Sequence, residues 1–535
     1  MSARSSPLRA AGSISVATAV SRVLGLLRDQ VMSYYFGAGI VTDAFVAAFR
    51  VPNLLRDLFA EGALSSALVP TLTAERLERG ETAAWHLVNR VVTALILILG
   101  ALTVVIVIFA PGIIRVYGSG FSPDKTALAI AMTRIMAPFL LFVALAAVAM
   151  GVLNTRGKFF LPAVAPASFN VSVILGVVLL YPVLSSRGIN PGLALALGAT
   201  VGGAMQFVVQ LPTLRRQGFR FRPELSLSDA GLRRVGGLML PATFGLAAVQ
   251  ISILVDTTLA SRMGDGPITW LQLAFRLMQL PLGLFGVAIA TANLAFVSRH
   301  AARADATSLK RNVATSIRAA GLLTLPATAG LIALRRPIVA VIFEHGEFTS
   351  FDTAQTAAAA ACYGLGLYAY SVTKIQVPTF YALGETGLPV KASAMAVAFK
   401  IAASFALIAL FPAMGLEPFL GLALATSLAA WVNFALLSRG LKGKIGALAP
   451  DSVVPTTLKV GGLSIAMGFA CHRFHGWLES LVPEGNLFGQ ILRLGAAIAL
   501  GMAIVIVGTY LMRIPEATAL LRRFGGEGSD RDREG

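Results

Sequence analysis

The sequence predicts an all-α polytopic membrane protein with about 14 transmembrane helices: two six-helix lobes related by a parallel repeat, plus two extra C-terminal helices. Three observations predict it. The 535 residues are 56% hydrophobic and only 13% charged, with a mean hydropathy of +0.76, well outside the composition of soluble domains. Apolar runs of about 20 residues, enough to cross a bilayer, recur from end to end. The basic residues are sorted between alternate loops, as membrane topology requires.

Residues 1–12 are polar and basic, and the apolar run after them contains Arg22 and Arg28, so no cleavable signal peptide is expected. Helix 1 is placed at 13–36, where Arg28 and Asp29 interrupt the span and Gly25, Gly37 and Gly39 allow bending or unwinding. Helix 2, at 42–72, carries Asp43, Arg50, Arg56, Asp57 and Glu61. Helices 3 to 6 fall at 86–110, 126–153, 159–184 and 191–214, with an amphipathic interfacial piece near 111–120. Helix 7 at 232–261 holds Asp256 near its end, helix 8 at 267–298 holds Arg276, and helix 9 spans 307–334. A second interfacial piece is expected near 336–346. Helices 10 to 12 are placed at 352–382, 388–412 and 417–438, with Lys400 and Ser404 one turn apart in helix 11. Helices 13 and 14 are placed at 455–478 and 487–512, and the polar tail 527–535 is expected to be disordered. Cys362 and Cys471 fall in apolar spans and are expected as buried free thiols.

The net charge of +18 could suggest nucleic acid, but its placement argues otherwise. With Arg4 and Arg9 inside, the inner loops include Arg76, Arg79, Arg156, Lys158, Arg215, Arg216, Lys310, Arg311, Lys442 and Lys444. The outer loops hold Arg115, Lys125, Arg187, Arg262, Arg335 and Arg336, a ratio of about 18 to 6. Both termini are therefore placed in the cytoplasm, and no nucleic-acid partner is expected.

A shift of 226 residues lays helix 2 on helix 8: Ala48-Phe49-Arg50 falls on Ala274-Phe275-Arg276, Leu54 on Leu280, and Leu58-Phe59 on Leu284-Phe285. An even number of helices separates the copies, so they run in the same direction. Transporters built from such repeats hold substrate near mid-membrane and expose it alternately to each side.

No GxxxxGK[ST] phosphate loop, GxSxG elbow or paired-carboxylate hydrolase motif stands out, so an enzyme, ATP hydrolysis and a cofactor are not expected. His472 and His475 lie close in sequence without ligand-spaced partners, and no metal site is expected. What stands out is charge within apolar spans. A charge in the hydrocarbon region costs several kcal/mol on most estimates, so such groups face a water-filled cavity, pair with one another or mark a substrate path. Arg22, Arg28, Arg50, Arg56 and Arg276 supply planar forks of donors suited to phosphate or carboxylate. The bland alternative is that they pair with Asp29, Asp43, Asp57 and Glu61 and tie helices together. Asp256, Lys400 and Ser404 read either as an ion-coupling site or as an Asp–Lys pair fixing two helices, and the pair is the favoured reading.

Residues 21–70, SRVLG…RD…FGAG…TDAF…RVPNLLR…FAEGA, resemble the MviN/MurJ-type lipid II flippases of bacteria. The resemblance continues through NTRGKFFLPAVAP (154–166), FRLMQLPLGLFGVAIAT (275–291), FEHGEFTSFDTAQT (343–356) and KIQVPTFYALGETGLPVK (374–391). It implies a fourteen-helix member of the multidrug/oligosaccharidyl-lipid/polysaccharide exporter superfamily, moving lipid-linked peptidoglycan precursor from the cytoplasmic to the periplasmic leaflet by alternating access. It implies an inner-membrane location, a role in cell-wall synthesis and cell shape, and a central cationic cavity. The family's cavity residues fall here on Ser21, Arg22, Arg28, Asp29, Asp43, Arg56, Glu61 and Arg276. The expected organisation is an N-terminal lobe at 1–220, a C-terminal lobe at 221–445, a two-helix groove for the lipid tail at 446–513 and a cytoplasmic tail at 514–535. Expected partners are the precursor, membrane lipids and cell-wall synthesis proteins, around a monomer.

The sequence departs from the family pattern at Asp57, where a second basic residue commonly follows Arg56, at Phe275 and Gln279 around Arg276, and at Glu385 before Thr386. Some relatives bind sodium between helices 7 and 11; Asp256 matches one ligand, but Lys400 and Ser404 stand where Asn and Asp would serve. The rivals are an exporter of a lipid-linked polysaccharide unit or of a drug on the same scaffold, and a non-transporting membrane scaffold or channel. A drug exporter would be expected to line its cavity with acid and aromatics, whereas these residues read basic.

Overall fold

The computed structural model describes residues 7–57, 63–226, 228–286, 289–290, 293, 296–297, 306–446, 450–481 and 487–517. All regular structure among the described residues is helical. Contacts divide the chain into two compact units, Met1–Thr269 with His345–Phe348, and Trp270–Glu344 with Thr349–Gly535.

In the first unit α1 (Pro7–Phe36) runs unbroken, so Arg28 and Asp29 do not interrupt it. Their ion pair is made between side chains, and the backbone has no need to open. The helix stops at Gly37, whose φ is +60° and whose Cβ, were there one, would meet the Glu347 carbonyl oxygen at 2.5 Å. In α2 (Ile40–Arg56) the Thr42 hydroxyl accepts the Gly39 N–H at 2.9 Å and closes the N-terminus. The continuous α3 (Ala63–Tyr117) turns at Gly80, where φ is 86°, and so joins the second half of helix 2 to helix 3. The piece expected at the interface near 111–120 is instead the end of this arm, because Ala110 and Ile114 are fully buried and prolong its packed face.

Helix 4 divides at Pro138 into α4 (Pro123–Met136) and α5 (Phe139–Thr155), where the missing proline N–H removes a helical bond. Between α6 (Phe160–Ser186) and α7 (Leu193–Val208) the backbones touch: a Cβ on Gly176 would lie 2.8 Å from the Gly198 Cα, and one on Gly202 would lie 3.0 Å from the Phe169 Cα. Gly198 and Gly202 are four apart, the small-residue spacing that lets membrane helices approach closely. The short α8 (Leu211–Arg216) follows, and α9 (Ala230–Ser261) starts at Asp229, whose carboxylate accepts the Leu232 N–H at 2.8 Å. The unit ends in the first residues of α10 (Pro267–Pro281).

The second unit holds the rest of α10, with a π-helical turn at Leu282–Gly286, then α11 (Ala306–Ala333), α12 (Arg335–Phe343) and α13 (Ser350–Gly364). It continues with α14 (Leu367–Ala382), α15 (Gly387–Leu410), α16 (Leu420–Ile445), α17 (Pro450–Leu481) and α18 (Leu487–Leu511). The piece read near 336–346 is α12. Helix 10 breaks at Gly366, where a Cβ would meet the Ser427 Cα at 2.9 Å, and the Ser427 hydroxyl donates to the Cys362 carbonyl at 2.7 Å. One polar side chain thus satisfies a carbonyl at the broken helix end. Val313, Ile317, Val372, Phe380 and Leu437 form the buried core under α11, α14 and α16. Cys362 and Cys471 are free thiols; Cys471 packs in α17 with its sulfur 3.3 Å from the Ala497 carbonyl of α18.

Among the described residues, nine helices are long and apolar enough to cross a membrane by length and composition. Neither α1, α2, α9 nor α10 is one of them, and these four carry Arg28, Arg56, Asp256 and Arg276.

Candidate functional site

On α1, Ser21 is half-buried and its carbonyl accepts the Asn170 amide of α6 at 3.2 Å, while Arg22 is exposed. Arg28 sits one and a half turns further on, with its side chain 13% exposed beside a fully buried Asp29. A single Asp29 oxygen, Oδ1, accepts from both Nη2 at 2.6 Å and Nε at 3.1 Å. The guanidinium carbon lies 5.6 Å from the centroid of the Phe169 ring, an aromatic face that favours the cation.

The same arrangement recurs on α2. Asp57 Oδ1 accepts from Arg56 Nη2 at 2.9 Å and Nε at 3.2 Å, and Asp57 Oδ2 accepts from Gln250 of α9 at 3.0 Å and Asn53 at 3.4 Å. Both arginines therefore pair with their immediate sequence neighbours, as the bland alternative expected of Asp29 and Asp57. Each of these ion pairs is between sequence neighbours, and Asp57 is bonded in addition to Gln250 of α9. Glu61 lies outside the described residues.

Asp43 stands in a different setting. It is fully buried in the first turn of α2, and its carboxylate accepts from Lys125 Nζ at 2.7 Å, the Gly266 N–H at 2.8 Å, the Thr269 N–H at 2.8 Å and the Thr269 hydroxyl at 2.6 Å. It thereby caps the positive N-terminal end of α10. Thr269 is the residue that the 226-residue repeat lays on Asp43 itself. Lys125, which the sequence places among the outer-loop charges, has a side chain only 1% exposed. It also meets Asp265 at 3.0 Å and stands 4.7 Å over the Phe121 ring. Neither Lys125 nor Gln250 is marked by any local motif, since their partners are 82 and 193 residues away.

Arg276 lies in the second unit on α10, half-buried, next to Phe275, whose ring packs edge-on against Tyr363 at 5.3 Å. Gln279 is exposed. Asp256 is half-buried in α9 of the first unit; Lys400, half-buried, and Ser404, fully buried, are on α15 of the second. Glu385 lies in the loop before α15, where its carboxylate takes Lys444 at 2.9 Å and the Leu388 N–H at 3.3 Å. The Lys444 ammonium, with the backbone donor, holds this carboxyl below the usual glutamate range. No group of three metal-ligating side chains occurs among the described residues.

Residues 32–493 match the family model described as lipid II flippase MurJ. A lipid II flippase MurJ of Burkholderia cenocepacia is 39% identical over 389 residues, 72% of this chain and 75% of that protein. A probable lipid II flippase MurJ of Haemophilus influenzae is 33% identical over 92% of this chain and 98% of its own length. Among solved structures, an inward closed lipid II flippase MurJ superposes with a TM-score of 0.75 at 27% identity, covering 93% of this chain and 98% of that one. An inward-facing multidrug transporter of the MATE family shares the fold, with a TM-score of 0.66 at 15% identity.

Proposed function

This chain belongs to the lipid II flippase MurJ family, and from that premise we propose that Arg28, Arg56 and Arg276 hold the diphosphate of the lipid-linked substrate. The protein is a lipid II flippase, a multi-pass transporter of the bacterial inner membrane. The precursor moves from the cytoplasmic to the periplasmic leaflet by alternating access, its polyprenyl tail remaining in lipid along α17 and α18. Ser21, Arg22, Asp29, Asp43 and Glu61 complete the substrate site, and Asp256, Lys400 and Ser404 form a coupling group. The protein works as a monomer beside cell-wall synthesis proteins. Export of a polysaccharide unit or a drug is not favoured.

Arg28 carries this reading. A guanidinium has five N–H donors, and Asp29 takes two of them through a single oxygen. That contact fixes the plane of the fork and balances its charge when no substrate is present. A diphosphate offers several anionic oxygens and can be held by the remaining donors without reorganising the arginine. Arg56 is held by Asp57 in the same way.

The direct test is reconstitution of the full chain in vesicles carrying lipid II on one leaflet. Transfer to the opposite leaflet should require the protein, and depletion in cells should leave lipid II on the cytoplasmic face. Unchanged leaflet distribution in both settings would refute the assignment. Topology is tested separately. With both termini inside, external labelling should reach cysteines placed at Gly188 and Gly264, and not at Arg216 or Lys442. The reverse pattern would overturn the orientation.

A further inference from the structure

A second basic site lies wholly within the second unit, at one end of its helices. A cavity of about 780 Å³ opens between the end of α11, the start of α12, the first half of α13 and the last turns of α17. It is lined on α13 by three small residues, Ala354, Ala357 and Ala358, and elsewhere by Arg335, Arg336, Arg473, His472 and His475. One acid, Glu479, shares it, and that carboxylate is engaged by His475 at 3.4 Å.

Three features give this cavity a ligand. The arginines outnumber the acid, so the cavity is cationic at neutral pH. Arg335 and Arg336 stand in the first turn of α12, where Arg335 donates to the Ile332 carbonyl at the end of α11 at 3.0 Å and is thereby held at the cavity. Beside the cavity α17 presents exposed apolar side chains, Trp477 at 56%, Phe469 at 69% and Ile465 at 73%, successive along the helix toward its middle. A polar anionic head and an apolar tail are matched by adjacent surfaces.

The placement sharpens the point. Arg335 and Arg336 are two of the few basic residues assigned to outer loops, and Arg473 joins them at the same end. Clustering three arginines on the side that topology keeps poor in positive charge calls for a local reason. The last turns of α17, with Trp477 stacked on Phe474 at 5.7 Å, place the cavity at the membrane interface, the level of lipid phosphates.

We propose that this cavity binds the phosphate of an anionic phospholipid of the surrounding leaflet, with the acyl chains lying along the exposed face of α17. Its lining includes none of Arg28, Arg56 and Arg276. The Arg pair of α12 and Arg473 take the phosphate oxygens, and the small side chains of α13 leave room for the headgroup between them.

Trp477 reports on this site. The full chain is placed in nanodiscs of phosphatidylcholine, and quenching of tryptophan fluorescence is titrated with dibrominated phosphatidylglycerol or dibrominated phosphatidylcholine. Subtracting the Trp477→Phe protein isolates the local signal from Trp85, Trp270 and Trp431. The expected result is about a fivefold preference for the anionic lipid, the factor given by roughly one effective elementary charge near the surface. It should fall to about one in Arg335→Gln/Arg336→Gln/Arg473→Gln and return in the corresponding triple Lys variant, while phosphatidylcholine quenching stays constant and reports an intact fold. If the triple Gln protein does not fold, Arg336→Gln alone should lower the preference. Equal quenching by the two lipids, or a preference that survives the charge removal, overturns the proposal. Relief of the quenching by millimolar inorganic phosphate would assign the cavity to a soluble phosphate and overturn the lipid assignment.

Discussion

Arg28 and Arg56 each share both Nε and Nη2 with one oxygen of the aspartate that follows them, so each fork is oriented by its sequence neighbour. The chemistry needs the planar fork, because an ammonium supplies a point charge and no fixed pair of donors. Arg28→Ala, Arg56→Ala and Arg276→Ala should therefore abolish transport while leaving normal amounts of protein in the membrane, and Lys should rescue poorly. Full complementation by any two of the alanine variants would sink the arginine assignment. Asp43 and Lys125 call for a different expectation. The pair is buried, so removing Lys125 leaves the Asp43 charge without its ammonium and held only by the Gly266 and Thr269 donors, at a cost of about 3 kcal/mol. Lys125→Met should lower the unfolding temperature of the purified protein, and adding Asp43→Asn should cause less further loss than Asp43→Asn causes alone. Strict additivity of the two would remove the coupling. The pattern of charges in apolar spans made Arg28, Arg56 and Asp43 visible as residues of interest in the sequence. Lys125 was not legible: the segment around it reads as a loop charge, and only the fold brings Asp43 across 82 residues to bury it.

At the scale of elements, the apolar runs locate the helices, and the breaks within them depend on single residues. Pro138 divides one span and Gly366 another, yet Pro166 and Pro182 lie inside an unbroken α6. A proline ends a helix only where neighbouring packing does not hold the backbone together, which is tertiary information. Gly366 is a break because Ser427 occupies the space a side chain would need and caps a carbonyl released there. Gly198 and Gly202 serve the opposite purpose, joining α7 to α6 backbone against backbone. The four-residue spacing is present in the sequence, but a glycine pair acquires meaning only with the opposing helix in place. Gly198→Leu should push the helices apart and reduce folded protein in the membrane, since its Cβ would already lie 2.9 Å from the Val173 Cα. Gly100→Ala in α3, with nothing within 4 Å of the added carbon, should leave the amount unchanged. Equal yields of the two variants in a fluorescence-detected size-exclusion assay would contradict the close-packing argument.

In the sequence the net charge of +18 reads as two sets of cations, those sorted between alternate loops and those inside apolar spans. Asp256 on α9 and Lys400 on α15 occupy helices 7 and 11, where the family resemblance implies sodium ligands in some relatives. A fixed ammonium at Lys400 repels a second cation and can itself supply the positive charge that sodium brings elsewhere. The proposed coupling group would set an acid against this base, and opposite intramembrane charges that compensate each other avoid the cost of either one alone. Transport by this chain is therefore expected to be independent of sodium. On the proposal that Asp256 and Lys400 act as one coupling group, Lys400→Met and Asp256→Asn should each impair lipid II transfer, and the double variant should recover part of the loss. The measurement is the initial transfer rate in reconstituted vesicles, with membrane potential clamped by a potassium gradient and ionophore and sodium varied against choline. A steep rise with sodium would show that a bound cation, and not Lys400, provides the charge beside Asp256. A double variant worse than both single ones would deny the compensation even if sodium had no effect, since each side chain would then act on its own.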